Sequence, residues 1–279
     1  MILMIPDKKK DQHIMIDPEI NMAVAANASL TDTDYVLEIG GGPGTLTSII
    51  ARKAARVYSV EKDNEYFSFL ERKFSDIENV ELIYGDILRI KLPKFNKIVS
   101  NPPYQILQQF FIRLIKENRQ YFECCVMIMP HKFTKLISSK PENKNFGMIS
   151  AIFDCFYTVD ILMDIPKEAF NPMPRVLSHL VRITPKVNHN AIDEKIIRNV
   201  FLHLDKKIGK NIMEFFWNGN EGFGKNFTKK ESKSILGKIE TPKIKKILEK
   251  RALELSDYEI KELYKFISQL LATFGGGGI

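Results

Sequence analysis

The sequence predicts an α/β protein: a mostly parallel, doubly wound sheet followed by a small helical domain. Three observations carry that expectation. Four short apolar runs, ending near residues 40, 60, 84 and 100, alternate with helical stretches. Each run stops at a residue suited to holding a ligand. Beyond about residue 190 the strand pattern ends and helical periodicity takes over. At 279 residues and 44% hydrophobic, the chain can bury a full core in one large domain, or one and a half.

The elements follow in order. Residues 1–17 form a basic arm. Asp17-Pro18-Glu19 starts a helix, with Pro in the first turn, that runs to about Ala28. Strand 36–40, helix 44–54, strand 56–60, helix 63–74 and strands 80–84 and 96–100 come next. Helix 105–118, strand 124–129 and a helix from 131 to about 138 complete the alternation. Residues 140–147 are a polar loop, and the segments 148–157 and 177–183 bracket a proline-rich turn. Residues 185–190 are the linker candidate. Helices are expected over 191–204, 207–216, 242–249 and 257–274, with a glycine-rich mobile loop at 218–227. The expected domains are 1–185 and 191–274, and 275–279 is a flexible tail.

The strand ends carry the chemistry. Gly40, Gly42 and Gly44 lie in a loop after the first strand, where only glycine lets backbone approach a ligand without a Cβ clash. Glu61 ends the second strand, 17 residues past Gly44, about where a ribose-binding acid falls. Asp86, after the third, can accept from the exocyclic amine of an adenine. A glycine loop alone would also suit NAD. Asn101-Pro102-Pro103-Tyr104 after the fourth strand favours S-adenosylmethionine instead, because it suits a planar amine substrate. The amine of adenine is a poor nucleophile, its lone pair being delocalised into the ring. The Asn101 side-chain oxygen and the Pro102 carbonyl can accept its two hydrogens and localise that pair without a strong base. Tyr104 offers a face for the base. Alone, the tetrapeptide would be a proline turn with a buried tyrosine; the three upstream signals favour the site.

Charge and cysteines bound the rest. The net charge is +7, and it is uneven: residues 186–279 hold 18 Lys and Arg against 12 Asp and Glu, whereas residues 1–185 hold 23 against 22. A basic C-terminal third favours a polyanion, although a solvated helical surface has the same composition. Lys225, Lys229 and Lys230 beside Phe223 and Phe227 mix charge with stacking faces. Lys8, Lys9 and Lys10 offer a second basic patch on the arm. Cys124, Cys125 and Cys155 are odd in number, lack metal spacing and read as buried thiols in a reducing cytoplasm. The five His form no ligand cluster, so no metal is expected. No apolar run is long enough for a bilayer, and the N-terminus does not read as a secretory signal.

On these residues the chain resembles the KsgA-type ribosomal RNA adenine dimethyltransferases, a group that includes the Erm methylases. Lys9-Lys-Asp-Gln12-His13-Ile-Met15-Ile-Asp17 is similar to the family's arm, and residues 36–47, VLEIGGGPGTLT, to its first motif. Glu61, Gly85-Asp86 and Asn101–Tyr104 fall in the family's order. Phe170-Asn-Pro172-Met-Pro174-Arg-Val176-Leu-Ser178 is the most specific match, and Arg251-Ala-Leu-Glu-Leu255-Ser256 resembles the opening of the last helix. The resemblance implies a Rossmann-like S-adenosylmethionine-dependent methyltransferase domain with a small C-terminal helical domain. It implies that Gln12, His13 and Met15 close over the cofactor, with Gly40 at its methionine part, Glu61 at its ribose and Asp86 at its adenine, and with Gly42 also among the cofactor-binding residues. Asn101 and Pro102 would orient the target amine, and Tyr104 and Phe170 would sandwich the base, which must leave its stack. The implied substrate is adenine N6 of small-subunit ribosomal RNA or a pre-30S particle, methylated by a cytoplasmic monomer. Pro102 stands where the family has Leu, a form shared with enzymes acting on DNA adenine and on protein glutamine. A paralogue with such a substrate, or an assembly factor with a secondary enzymatic role, are the alternative readings.

Overall fold

The computed structural model describes residues 13–117, 122–186, 200, 206–217, 227–239 and 241–274. Lys8, Lys9, Lys10, Gln12, Phe223 and Lys225 lie outside the described residues. So do the expected helix 191–204 except Val200, the tail, and all of the glycine-rich loop except Phe227.

The chain begins with β1 (Ile14–Met15), α1 (Pro18–Asn27), β2 (Tyr35–Ile39), α2 (Thr45–Ala51), β3 (Arg56–Glu61), α3 (Asn64–Lys73), β4 (Val80–Tyr84) and β5 (Lys97–Ser100). A short turn at Tyr104–Ile106 leads into α4 (Leu107–Lys116), then β6 (Cys124–Pro130), α5 (His131–Ile137), α6 (Met148–Phe156), β7 (Tyr157–Ile165), β8 (Phe170–Asn171) and β9 (Ser178–Pro185). The described helices that follow are α7 (Ile208–Trp217), α8 (Lys229–Ile239), α9 (Pro242–Leu248) and α10 (Asp257–Phe274).

Seven strands form one sheet in the order β4-β3-β2-β5-β6-β9-β7. The pairs among β4, β3, β2, β5 and β6 are parallel, and β9 runs antiparallel to β6. The central strands are buried on both faces and therefore read as continuous apolar runs. On one face α1 and α2 bring Val24, Ala25, Leu46 and Ile50 onto Val36, Val57, Val99, Val126 and Leu180. Among α4 residues, Phe110, Phe111 and Leu114 are fully buried. The chain moves outward from β2 through β3 to β4 and then returns to β5 on the other side of β2. That reversal is a switch point, which opens a crevice at the carboxyl ends of β2 and β5.

Local caps explain the helix starts. The Asp17 carboxylate accepts from the Glu19 N–H at 2.9 Å, with Pro18 at the first helical position. Asp63 caps α3 in the same way. The segment bracketing the proline-rich turn differs from a simple pair: 148–156 is helix and 157–165 is strand.

The chain divides into two compact units. One comprises Met1–Lys135 and Thr158–Pro185, the other Leu136–Tyr157 and Lys186–Ile279. The segment 136–157, expected with the sheet, thus groups with the helices. Its Asp154 carboxylate accepts from Lys140 Nζ at 2.6 Å and from the Tyr264 hydroxyl at 2.9 Å, and the Phe146 ring lies 5.4 Å from that of Tyr264. In the helical unit Ile212, Phe215 and Phe216 of α7, Ile247 of α9 and Leu263, Phe266 and Ile267 of α10 are buried. No helix among the described residues is long and apolar enough to cross a membrane.

Candidate active site

A cavity of about 460 Å³ opens at the carboxyl ends of β2, β3, β4 and β5. Its wall includes His13, Gly40, Gly42, Glu61, Asp86, Asn101, Pro102 and Tyr104. The fold therefore brings together residues up to 91 positions apart in sequence, from His13 to Tyr104.

The glycine loop leaves β2 with φ of +78° at Gly40 and +51° at Gly42, a left-handed path that strains any residue with a Cβ. Its carbonyl side is strapped by α3, where Lys73 Nζ donates to the Pro43 and Gly44 carbonyls at 2.8 and 2.9 Å. Gly41 is needed for room rather than rotation, since a Cβ there would lie 2.5 Å from Ser59 Oγ and 2.8 Å from Leu70 Cδ1.

Glu61 is 8% exposed, and both its oxygens are engaged. Oε2 accepts from Gly42 N–H at 2.9 Å, and Oε1 from Lys62 and Asp63 N–H at 2.8 Å each. Burial raises its carboxyl above the ordinary range, opposed by those backbone donors. Asp86 behaves oppositely: the Leu88 N–H, with Lys62 Nζ 3.2 Å away, holds its carboxyl below the usual range.

Glu38, beneath the loop, was not singled out from sequence. It is fully buried, and its Oε2 accepts from Thr47 Oγ1 at 2.6 Å and Ser59 Oγ at 2.7 Å. It thereby ties the end of β2 to the first turn of α2 and to β3. Burial pushes its carboxyl from 4.5 up to about 7, and the neighbouring Glu61 charge adds to the rise. A folded-state value above the unfolded one means that the native state holds the extra proton between pH 4.5 and about 7. Stability should therefore fall as pH rises through that window. Glu38→Gln should flatten this slope, leaving the variant more stable than the parent by several degrees of melting temperature at pH 8. Thermal melts from pH 5 to 8 check this, and parallel profiles would refute it.

Asn101 is held by the arm. Its Nδ2 donates to the His13 carbonyl at 3.5 Å. A carbonyl can only accept, so this contact, at the long end of hydrogen-bond range, suits the amide NH₂ on the His13 side. Tyr104 shares a 2.7 Å hydroxyl–hydroxyl hydrogen bond with the fully buried Ser178, which joins the Asn-Pro-Pro-Tyr turn to the proline-rich string. Two expected site residues stand apart from the cavity. Met15 (6% exposed) and Phe170 (3% exposed) face each other across the antiparallel β1–β8 ribbon and belong to the core. In an extended segment successive side chains point to opposite sides. Met15 therefore turns inward, while Ile14 lines the cavity and reaches to within 3.5 Å of where a Gly42 Cβ would be.

Lys229 and Lys230 are exposed at the start of α8, with Lys229 Nζ 5.5 Å from the centre of the Trp217 ring. Phe227 packs edge-on against Phe216 at 5.8 Å, the anchoring role rather than a free stacking face. Among the described residues no group of three His, Cys, Asp or Glu could hold a metal ion.

These residues fit S-adenosylmethionine. The loop glycines leave room where a Cβ would intrude, two acids sit at successive strand ends, and the cavity is of small-ligand size. Comparison with known proteins points the same way. The chain is 32% identical over 276 residues to a probable ribosomal RNA small subunit methyltransferase A of Methanococcoides burtonii, covering 94% of each. It is 33% identical over 272 residues to the like-named protein of Pyrococcus furiosus, covering 94% of this chain and 92% of that one. A dimethyladenosine transferase from Plasmodium falciparum shares the fold, with a TM-score of 0.62 at 21% identity over 94% of this chain and 98% of that one. The 23S rRNA methyltransferase ErmE superposes with a TM-score of 0.55 at 18% identity over 92% of this chain and all of that one. The family model described as ribosomal RNA adenine dimethylase matches residues 7–249, from the arm through the switch-point cavity and into the helices, and the chain belongs to that family.

Proposed function

We propose that the protein transfers methyl groups from S-adenosylmethionine to N6 of adenine in small-subunit ribosomal RNA, twice per base, acting on the RNA or its precursor particle. The observation that carries this reading is Asn101: a neutral amide at the switch point, with its NH₂ turned to the arm, in the same cavity as Glu61 and Asp86. A substrate of this kind puts the protein with assembling ribosomal particles in the cytoplasm.

The cofactor, when bound, supplies an electrophilic methyl group. Gly40, Gly42, Glu61 and Asp86 would hold it, and His13 and Ile14 cover the loop side. Asn101 Oδ1 and the Pro102 carbonyl accept the two hydrogens of the target amine, directing its lone pair into the cavity. Neither of these two acceptors takes a full proton, so the proton lost after methyl transfer leaves toward solvent. Tyr104, fixed by Ser178, supplies a flat face for the base.

The test is incubation with labelled S-adenosylmethionine and immature small subunits, naked ribosomal RNA, duplex DNA or glutamine peptides, followed by digestion. Labelled N6,N6-dimethyladenosine from the ribosomal substrates alone is expected. Label in deoxyadenosine or glutamine instead would overturn the reading.

The helical unit carries the RNA-contact prediction. Reversing the charge of Lys229 and Lys230 should weaken RNA binding several-fold and flatten its salt dependence by about one slope unit per lost phosphate contact. Cofactor affinity should stay the same. An unchanged salt slope in filter-binding titrations would move the RNA contact to the Lys8–Lys10 arm.

A further inference from the structure

The Tyr104 hydroxyl is tied to Ser178, and Ser178 sits beside a pair of histidines. Ser178 is the first residue of β9 and pairs with Pro130, the last residue of β6. His179 follows it on β9, and His131 follows Pro130 at the start of α5. The His131 N–H donates to the Leu177 carbonyl at 2.9 Å, so the backbone is stitched just beyond Ser178. The side chains repeat the link. His131 Nδ1 lies 3.1 Å from His179 Nε2, with the two rings edge-on and their centroids 4.9 Å apart. His179 is 7% exposed, and neither histidine is part of the cavity wall.

Hydrogen-bond chemistry assigns the protons. His179 Nε2 also lies 3.3 Å from Asp164 Oδ1 of β7, and a carboxylate can only accept. Nε2 therefore carries the hydrogen, which leaves His131 Nδ1 as an acceptor. The other ring nitrogen of His179, Nδ1, is buried with no hydrogen-bond partner among the described residues. A proton added to His131 Nδ1 would set two N–H groups head to head across 3.1 Å. A proton added to His179 Nδ1 would bury a charge together with an unmet donor. The arrangement holds while both rings are neutral. Burial lowers the His179 value from 6.5; Asp164 opposes that shift and His131 adds to it. Lys132 and Lys135, further along α5, are exposed. The native state thus binds fewer protons than the unfolded chain just below pH 6.5, and this corner loses stability as pH falls through that window.

Resting on the function proposed above, we propose that His131 and His179 are positioning residues for methyl transfer: their hydrogen bond sets Ser178, and through it the Tyr104 face that receives the target base. The lever is short. One peptide bond joins His179 to Ser178, and one 2.7 Å hydrogen bond joins Ser178 to the Tyr104 hydroxyl. Because the pair holds only when neutral, acid should slow the transfer of methyl groups without emptying the cofactor pocket.

The test measures kcat and KM on ribosomal RNA across the range in which histidine titrates, with S-adenosylmethionine affinity by calorimetry. The variants are His179→Leu, which deletes the bond, and the double variant His131→Asn with His179→Gln. In the double variant the Asn oxygen stands in for Nδ1 and the Gln NH₂ for Nε2–H, so the bond survives and neither group titrates. His179→Leu should lose roughly tenfold in kcat at neutral pH, less than the roughly hundredfold that a 1 Å misplacement can cost. Its cofactor affinity should stay within a few-fold. The parent should lose kcat several-fold as pH falls below about 6.5, and the double variant should keep near-parental kcat at neutral pH while losing that acid limb. Glu38 is present in all these proteins, so its own pH dependence cancels in the comparison. An acid limb of equal size in the double variant overturns the proposal, and so does parental kcat in His179→Leu. A double variant as slow as His179→Leu also overturns it, returning the pair to a packing role. If His179→Leu does not fold, the pH profiles of parent and double variant decide alone. A parent that leaves ribosomal RNA unmethylated at every pH overturns the function reading itself, an outcome distinct from a parent that methylates with the same pH profile as the double variant.

Discussion

Replacing Asn101 by alanine should lower methyl transfer a hundredfold or more while cofactor affinity changes little. The reasoning rests on where each end of the amide points. The His13 carbonyl can only accept, so it favours the NH₂ end and leaves the oxygen for the substrate amine. Removing that oxygen deletes an interaction that strengthens as the amine gains positive charge, so the loss should fall on kcat more than on binding. Asn101→Asp sharpens the test. A carboxylate is a good acceptor for the amine, but it cannot donate to the His13 carbonyl and would repel it. That variant should be impaired as well, with the arm displaced. Single-turnover kinetics on ribosomal RNA, with calorimetry for the cofactor, measure both effects. Normal turnover in Asn101→Ala would remove it from the chemistry.

Much of this site was legible before any coordinates, for a physical reason. Parallel strands covered on both faces must be apolar throughout, so β2, β3 and β5 appear as short runs whose ends stand out. The residues at those ends, Gly40, Glu61 and Asn101, fall on one edge of the sheet because parallel strands share a direction. Other parts gave weaker signals. Residues 148–156, MISAIFDCF, are an apolar run that suits a helix or a buried strand equally, and β7 does not alternate in exposure. Helix α8 was signalled by Thr228-Lys-Lys-Glu231, a capping box in which Thr228 N–H donates to Glu231 Oε2 at 2.8 Å and Glu231 N–H to Thr228 Oγ1 at 3.2 Å. No helix was expected between residues 217 and 241, so that signal was overlooked. The β1–β8 ribbon was beyond reach: two residues pair with two others some 155 positions away, with no periodicity to reveal the register. Without that register, an aromatic such as Phe170 reads equally as platform or core.

Glu61 offers the second large effect, and the structure changes its expected character. A carboxylate has about four acceptor positions. Three are taken by the N–H groups of Gly42, Lys62 and Asp63, leaving room for one ribose hydroxyl unless a loop bond yields. The Gly42 bond is the one that reaches across to the glycine loop, so it is the bond that a second hydroxyl would displace. Glu61→Ala should therefore act twice, removing a charged acceptor from the ribose and untying the loop that must shape the rest of the pocket. A hydrogen bond to a charged group is worth about 1.5–3 kcal/mol, or about ten- to more than a hundredfold in affinity, and the freed loop adds to that. We expect a loss of at least a hundredfold in S-adenosylmethionine affinity. Glu61→Gln separates the two parts, because its amide oxygen can keep one side of the backbone pairs while its NH₂ meets N–H donors on the other. It should bind more weakly than the parent but better than Glu61→Ala. Calorimetric titration with the cofactor and its demethylated product decides the matter. Equal affinities in parent and Glu61→Ala would mean that Glu61 only shapes the loop, and that the ribose is held by other groups on the cavity wall.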